Sequence, residues 1–346
     1  MLKTFARLIA AGALMLPLAA YADPITLTLS FFTSDRSNIY QNSIRPFVDA
    51  VNKDGKGIVE IKVYFSGAIS GVQAQQPQLV ADGIADMAII VPGLSPDRFG
   101  DTSVMELPGI YRDSREAGLI FTRLIDAGAL NGYGDFFVVG AFVSAAESVH
   151  SRKAIATNED LKGLLIRTNN NTEAAVLQKL GAFPIPLAIN QTTEAISRGK
   201  IDGATAPPSM LFEFGIGRVT SNHYMIPLGG APTALVMNRA KFDGLPPQAK
   251  AIIRQYSGAW LAESSAASMT ALDEQTLKQL QDDPRRKVIF LSPADLKSVQ
   301  QISASVVEDW AAMSRHNRDL LTLVRAEIAK LRDAEGDNAR AQAPGK

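Results

Sequence analysis

The stretch Leu161-Lys162-Gly163-Leu164-Leu165-Ile166-Arg167-Thr168 opens a block that runs to Ser209 and decides the fold. An apolar strand ends at Arg167 and gives way to the polar turn Thr168-Asn169-Asn170-Asn171. Glu173 to Gly181 has helical spacing, and Ala182-Phe183-Pro184-Ile185-Pro186-Leu187 is extended. A second helical segment reaches Gly199, and Ile201-Asp202-Gly203-Ala204-Thr205-Ala206-Pro207-Pro208-Ser209 closes the block. Strands alternating with helices across short turns predict βαβ units and a parallel sheet. Ligands of such sheets sit beyond the carboxyl ends of the strands. Arg167 stands at one such end, and Thr205 and Ala206 at another. A guanidinium there presents a planar fork that fits a carboxylate with two parallel hydrogen bonds. Taken alone, an Arg at a strand end more often pairs with a surface acid.

The first hundred residues repeat the alternation. Ile25 to Phe32 and Val59 to Phe65 read as strands, Ile39 to Asn52 and Gln73 to Asp82 as helices, and Met87 to Val91 as a buried strand. The phrase Gly83-Ile84-Ala85-Asp86-Met87-Ala88 echoes Gly199-Lys200-Ile201-Asp202-Gly203-Ala204, so two α/β domains are expected, each a small doubly wound sheet flanked by helices. The polar stretch Ala145–Ser151 and the Pro- and Gly-punctuated stretch Tyr224–Met237 mark two crossings between them, and hence a hinged cleft. This assigns 23–144 and 232–271 to domain I, 145–231 and 272–333 to domain II, and 334–346 to a frayed tail. Ser114 caps a helix that runs to Ala127. One long helix is expected from Pro246-Pro247 to Asp283-Pro284, and Ser292-Pro293-Ala294-Asp295 starts another.

Asp160-Leu161-Lys162-Gly163-Leu164-Leu165-Ile166-Arg167, Leu180-Gly181-Ala182-Phe183-Pro184-Ile185-Pro186 and Ile201-Asp202-Gly203 together resemble the core signature of the TRAP-transporter solute receptors, the DctP-like family. The resemblance keeps its spacing through the block and runs more loosely over most of the chain. It implies a two-domain periplasmic-binding-protein-like fold with a long domain-spanning helix. It also implies a small organic acid ligand, a TRAP membrane permease as partner, and an Arg at the position of Arg167 that clamps the ligand carboxylate. Where the family usually has Gln-Glu-Asn-Pro, this chain has Ala204-Thr205-Ala206-Pro207, so a second donor is lost at Ala206. Sialic-acid-binding members carry a second Arg at the position that falls on Glu147. An acid there opposes a sugar acid or dicarboxylate and suits a ligand hydroxyl or amine, or pairs with Arg167 in the empty state; it reads equally as a solvated linker acid. Asn169, Phe32, Pro92 and Phe212 complete the candidate ligand-binding set, with core packing as the other reading of Phe32.

Composition removes other classes. The 346 residues carry 35 Lys and Arg against 35 Asp and Glu, with no basic run, which argues against nucleic acid. There is no cysteine, and His150, His223 and His316 form no HxxxH pair, so neither metal nor cofactor is expected. No nucleophile elbow, P-loop or GxGxxG motif occurs. Lys3 and Arg7, an apolar run from Leu8 to Leu18, and Ala20-Tyr21-Ala22 before Asp23 read as a secretory signal peptide over 1–22. The expected product is a monomeric periplasmic receptor, not an enzyme. The alternatives are a secreted enzyme using carboxylate acid–base chemistry and a periplasmic ligand-sensing adaptor.

Overall fold

The computed structural model describes residues 23–342, with side chains through 336; the signal-peptide segment lies outside the described residues. The fold is mixed α/β, two sheets flanked by helices. Strands β1 (Ile25–Ser30), β2 (Val59–Tyr64), β3 (Met87–Ile90), β4 (Phe136–Val143) and β10 (Pro232–Asn238) build the first, in the order β2-β1-β3-β10-β4. β1 runs parallel to β2 and β3, and β10 enters antiparallel between β3 and β4. All four residues of β3 are buried, and the period of two sends Met87 and Ile89 to one core and Ala88 and Ile90 to the other. Helices therefore cover both faces, the condition under which a strand reads as a continuous apolar run.

The second sheet holds β5 (Ser148–Ser151), β6 (Leu165–Thr168), β7 (Phe183–Pro186), β8 (Gly203–Ala206), β9 (Asn222–Tyr224) and β11 (Lys287–Ile289), in the order β11-β9-β5-β8-β6-β7. β6 is parallel to β7 and β8, as the βαβ reading requires, while β5 is antiparallel to β8 and β9.

The two crossings lie side by side. Glu147 N donates to Gly229 O at 2.7 Å, Leu228 N to Glu147 O at 3.1 Å, and Ser144 N to Ala231 O at 3.1 Å. Glycine is needed here, because a Cβ on Gly230 would stand 2.4 Å from the Ser144 carbonyl oxygen. Helix Ala259–Asp282 joins the lobes a third time, with Leu261 in a core of the first and Leu280 in a core of the second. At about 1.5 Å per residue its 24 residues span roughly 36 Å.

Four expectations are corrected. The long helix does not begin at Pro247: helix Pro247–Gln255 stops, and Gly258, at φ +63°, gives its N–H to Val139 O before the next helix starts. The cap at 113–114 is Asp113, whose carboxylate accepts from Glu116 N at 2.7 Å. The segment 272–333 does not all belong to the second lobe. Helix Pro293–Ala312 puts Val299 and Val306 in the second lobe's core and Val307, Trp310 and Ala311 in the first's. Leu320, Leu321, Val324, Ile328 and Leu331 of helix Arg315–Gln342 pack in the first lobe with Leu119 and Ile120. Nor is the tail frayed from Ala334, since Glu335 pairs with Arg112 and Arg115 and the helix continues to Gln342. Among the described residues no helix is long and apolar enough to cross a membrane.

Candidate functional site

A cavity of about 690 Å³ lies between the lobes, at the ends of β3, β6 and β8 and beside the crossings. Arg167, Glu147, Asn169, Phe32 and Pro92 line it. Thr205 and Ala206 do not. Both are fully buried behind the wall: Thr205 gives its carbonyl to Arg167, and Ala206 gives its carbonyl to the His150 ring. Phe212 turns away and stacks beneath the Arg286 guanidinium at 5.4 Å, while Met210 and Phe214 face the cavity in its stead.

Arg167 is 2% exposed and held on three sides. Its Nε donates to Leu187 O at 2.8 Å, Nη1 to Thr205 O at 3.0 Å, and Nη2 to Asn169 Oδ1 at 3.0 Å. A guanidinium has five N–H groups. Among the described residues the remaining two, one on each Nη, have no protein acceptor. That is the fork a carboxylate fits with two parallel hydrogen bonds.

Glu147 does not pair directly with Arg167. Asn169 stands between them, accepting from Arg167 and reaching Glu147 Oε1 with its amide at 3.5 Å. Glu147 is buried, and its Oε2 has no hydrogen-bond partner among the described residues. Burial raises its pKa against the pull of Arg167. Glu147 is thus a buried acid at the base of the cleft, not a solvated linker residue.

Two acids escaped the sequence reading. Glu173, fully buried at the start of helix Asn171–Lys179, accepts from Asn169 N at 3.0 Å, Asn170 Nδ2 at 2.7 Å and Thr205 Oγ1 at 2.7 Å. Burial, with the charge of Glu147 beside it, holds its carboxyl well above the usual range. Glu106 ends the 3₁₀ segment Gly100–Glu106, is 5% exposed and lines the cavity from the first lobe. Burial pushes its carboxyl up to about 8, and Glu147 adds to the shift. Glu173 carried a signal in the Asn170-to-Glu173 spacing of a helix cap; Glu106 lay in a stretch without periodicity.

The remaining walls are largely apolar, with Ile39, Phe142, Met210, Phe214 and Met269, interrupted by polar residues such as Ser43, Gln73, Thr102 and Thr233. Polar contacts link the two lobes: Asn38 Nδ2 donates to Ser209 O at 2.6 Å and Asn38 N to Glu213 Oε2 at 2.9 Å. Among the described residues no group of His, Asp and Glu is placed to hold a metal ion.

The molecule is two-lobed, with a buried Arg fork in a cleft of largely apolar walls. The family model for bacterial extracellular solute-binding protein, family 7 (DctP), matches residues 29–313. The chain belongs to this family. The receptor is 24% identical over 344 residues to the C4-dicarboxylate-binding periplasmic protein DctP of Rhodobacter capsulatus, covering 95% of this chain and 94% of that one. A TRAP solute-binding protein from Rhodoferax ferrireducens, solved with copurified benzoate, matches at TM-score 0.81 and 26% identity, over 90% of this chain and 99% of that one. A marine metagenome TRAP solute-binding protein specific for aromatic acid ligands, solved with 3-hydroxybenzoate, matches at TM-score 0.83 and 22% identity, over 89% and 99%. Family-7 receptors are non-enzymatic, extracellular or periplasmic, and work with TRAP membrane permeases.

Proposed function

We propose that this TRAP receptor binds a small organic monocarboxylate with an apolar or aromatic body in the interdomain cleft, as a periplasmic monomer without catalysis, and delivers it to the permease. The observation that carries the reading is the pair of unengaged Arg167 N–H groups at the wall of an otherwise largely apolar cavity. Small-molecule pockets commonly combine apolar walls with a few fixed polar groups. The unpartnered Glu147 Oε2 argues against a second ligand carboxylate, which it would repel. A heavily hydroxylated sugar acid would leave hydroxyls unpaired against Phe32, Phe142 and Phe214, at about 1–3 kcal/mol each. Benzoate and 3-hydroxybenzoate in the two solved relatives are of the favoured class.

Calorimetry with benzoate, phenylacetate, mandelate, succinate and glucuronate tests this. The aromatic acids should outrank the last two. Arg167→Ala should weaken the best of them by about 2–4 kcal/mol, the scale for losing one partner of a buried charge pair. Arg167→Lys should lose much of the same, since a point charge cannot reproduce the fork. Tight binding of succinate or glucuronate alone, or unchanged affinity in Arg167→Ala, would overturn the reading.

A further inference from the structure

We infer that Glu106 is a second polar anchor of the cleft, a specificity-determining residue that receives a hydroxyl group of a ligand whose carboxylate sits on Arg167. The inference rests on the carboxylate reading above and adds the ligand's second polar group.

Glu106 faces the cavity, and its carboxyl meets no polar partner among the described residues. It is 5% exposed, and its carboxyl has neither a hydrogen-bond donor nor a salt-bridge partner among the described residues. The polar neighbours on its own segment are committed elsewhere. Thr102 Oγ1 bonds the Tyr133 hydroxyl at 2.9 Å, while Ser103 Oγ donates to Gly100 O and accepts from Trp310 Nε1 at 3.0 Å. A buried carboxyl without a partner is costly to keep unless something else satisfies it.

Its position is fixed. The Glu106 carbonyl accepts from Thr172 Oγ1 at 3.2 Å, and Gly229 passes so close that a Cβ there would stand 2.4 Å from the same oxygen. A Cβ on Gly93 would stand 3.2 Å from Glu106 Oε1, so the glycine leaves room for the carboxyl at the wall. Glu106 thus belongs to the first lobe but is pinned where the crossings meet, and Arg167 looks into the same cavity from the second. A ligand that touches both ties the lobes together.

The chemistry of the partner follows from what surrounds the carboxyl. The ionisable groups that bear on it are Glu147 and Tyr133, and neither supplies positive charge. With its pKa pushed up to about 8 by burial, Glu106 keeps its proton at neutral pH and offers one donor and one acceptor. A hydroxyl offers the same pair in return. An ammonium would bring three donors and a full charge into a cavity whose walls are largely apolar, Pro92, Phe142 and Trp310 among them.

The test compares acids that differ only in the hydroxyl: benzoate against 3- and 4-hydroxybenzoate, and phenylacetate against mandelate. Affinities are measured by calorimetry at pH 7 on the wild type, Glu106→Ala and Glu106→Gln. At least one hydroxylated acid should bind the wild type about tenfold tighter than its partner, the scale of one hydrogen bond to an otherwise unpaired buried group. Glu106→Ala should shrink that gain to within about twofold while benzoate binding persists, which also shows that the variant folds. Glu106→Gln, still a donor and an acceptor, should keep part of the gain. If the gain survives in Glu106→Ala, or no hydroxylated acid exceeds its partner while benzoate binds, this inference is overturned and the carboxylate reading stands. If no acid of either kind binds, both are overturned together.

Discussion

The two lobes use the same turn and then diverge. Gly83 and Gly199 adopt φ of +70° and +69°, and the acid three residues on accepts from the neighbouring parallel strand. Asp86 accepts Thr28 N at 2.7 Å and pairs with Lys241; Asp202 accepts Leu165 N at 3.0 Å and pairs with Lys153. The register matches as well: Ser30 lies opposite Ala88, and Arg167 lies opposite Ala204. Ser30 therefore occupies in the first lobe the place that Arg167 occupies in the second. What differs is bulk. Met87-Ala88-Ile89-Ile90 fills two apolar cores, whereas Gly203-Ala204-Thr205-Ala206 is small and leaves room for Arg167, His150 and Glu173. A repeated frame has become a packed wall on one side and a polar network on the other.

Acid should separate the lobes most strongly. His150 Nε2 donates to Ala206 O at 3.0 Å, so its Nδ1 accepts from His223 Nδ1 at 2.9 Å. Burial lowers the two pKa values from 6.5 to about 4 and about 3, with His150 and Arg286 adding to the shift of His223. At these two histidines the unfolded chain binds more protons than the folded one below pH 6.5. The stability that they hold as neutral rings is lost progressively as pH falls from there towards about 3. The loss should reach on the order of 3 kcal/mol for each histidine by pH 4. Hydrogen exchange should show it first in β5 and β9; uniform loss in both sheets would break the contrast.

Exchanging bulk comes next. A Cβ on Gly203 would stand 2.4 Å from His150 O, a backbone atom that cannot step aside. Gly203→Val should cost about 3 kcal/mol in urea unfolding, at the upper end of overpacking. Met87→Ala, at the matching place, should cost about 2–3 kcal/mol for the opposite reason, a cavity. A Gly203→Val protein of wild-type stability would mean that β8 does not press on β5.

The smallest effect belongs to Ser30, whose buried Oγ has no partner among the described residues. Ser30→Ala should leave stability unchanged or raise it by up to about 1 kcal/mol. A clear loss would mean that the hydroxyl has a function of its own, and that the position is polar in both lobes.

The comparison also explains what could be read from the sequence. The Gly-x-x-Asp echo and the strand ending in Arg167 are local patterns with fixed backbone consequences, so both were legible. Thr205 and Ala206 were placed at the right strand end but on the wrong side of the wall, because the Arg167 guanidinium uses Thr205 O as a support. Phe212 and Phe214 sit in an irregular segment, where no period distinguishes the side chain that faces in. The stripe from Leu320 to Leu331 announced a packed helix but could not say on which lobe. Glu106 was invisible because its environment is assembled by Gly93 on another turn and by Thr172 and Gly229, both far from it in sequence.

The way Arg167 is held has a consequence for the entropy of binding. A solvent-exposed arginine gives up about 2 kcal/mol of rotamer freedom when it is immobilised. Here the chain itself has already immobilised the guanidinium, through Leu187, Thr205 and Asn169. An anion arriving at the two remaining N–H groups finds a rigid target, so that ordering cost falls on folding and not on recognition.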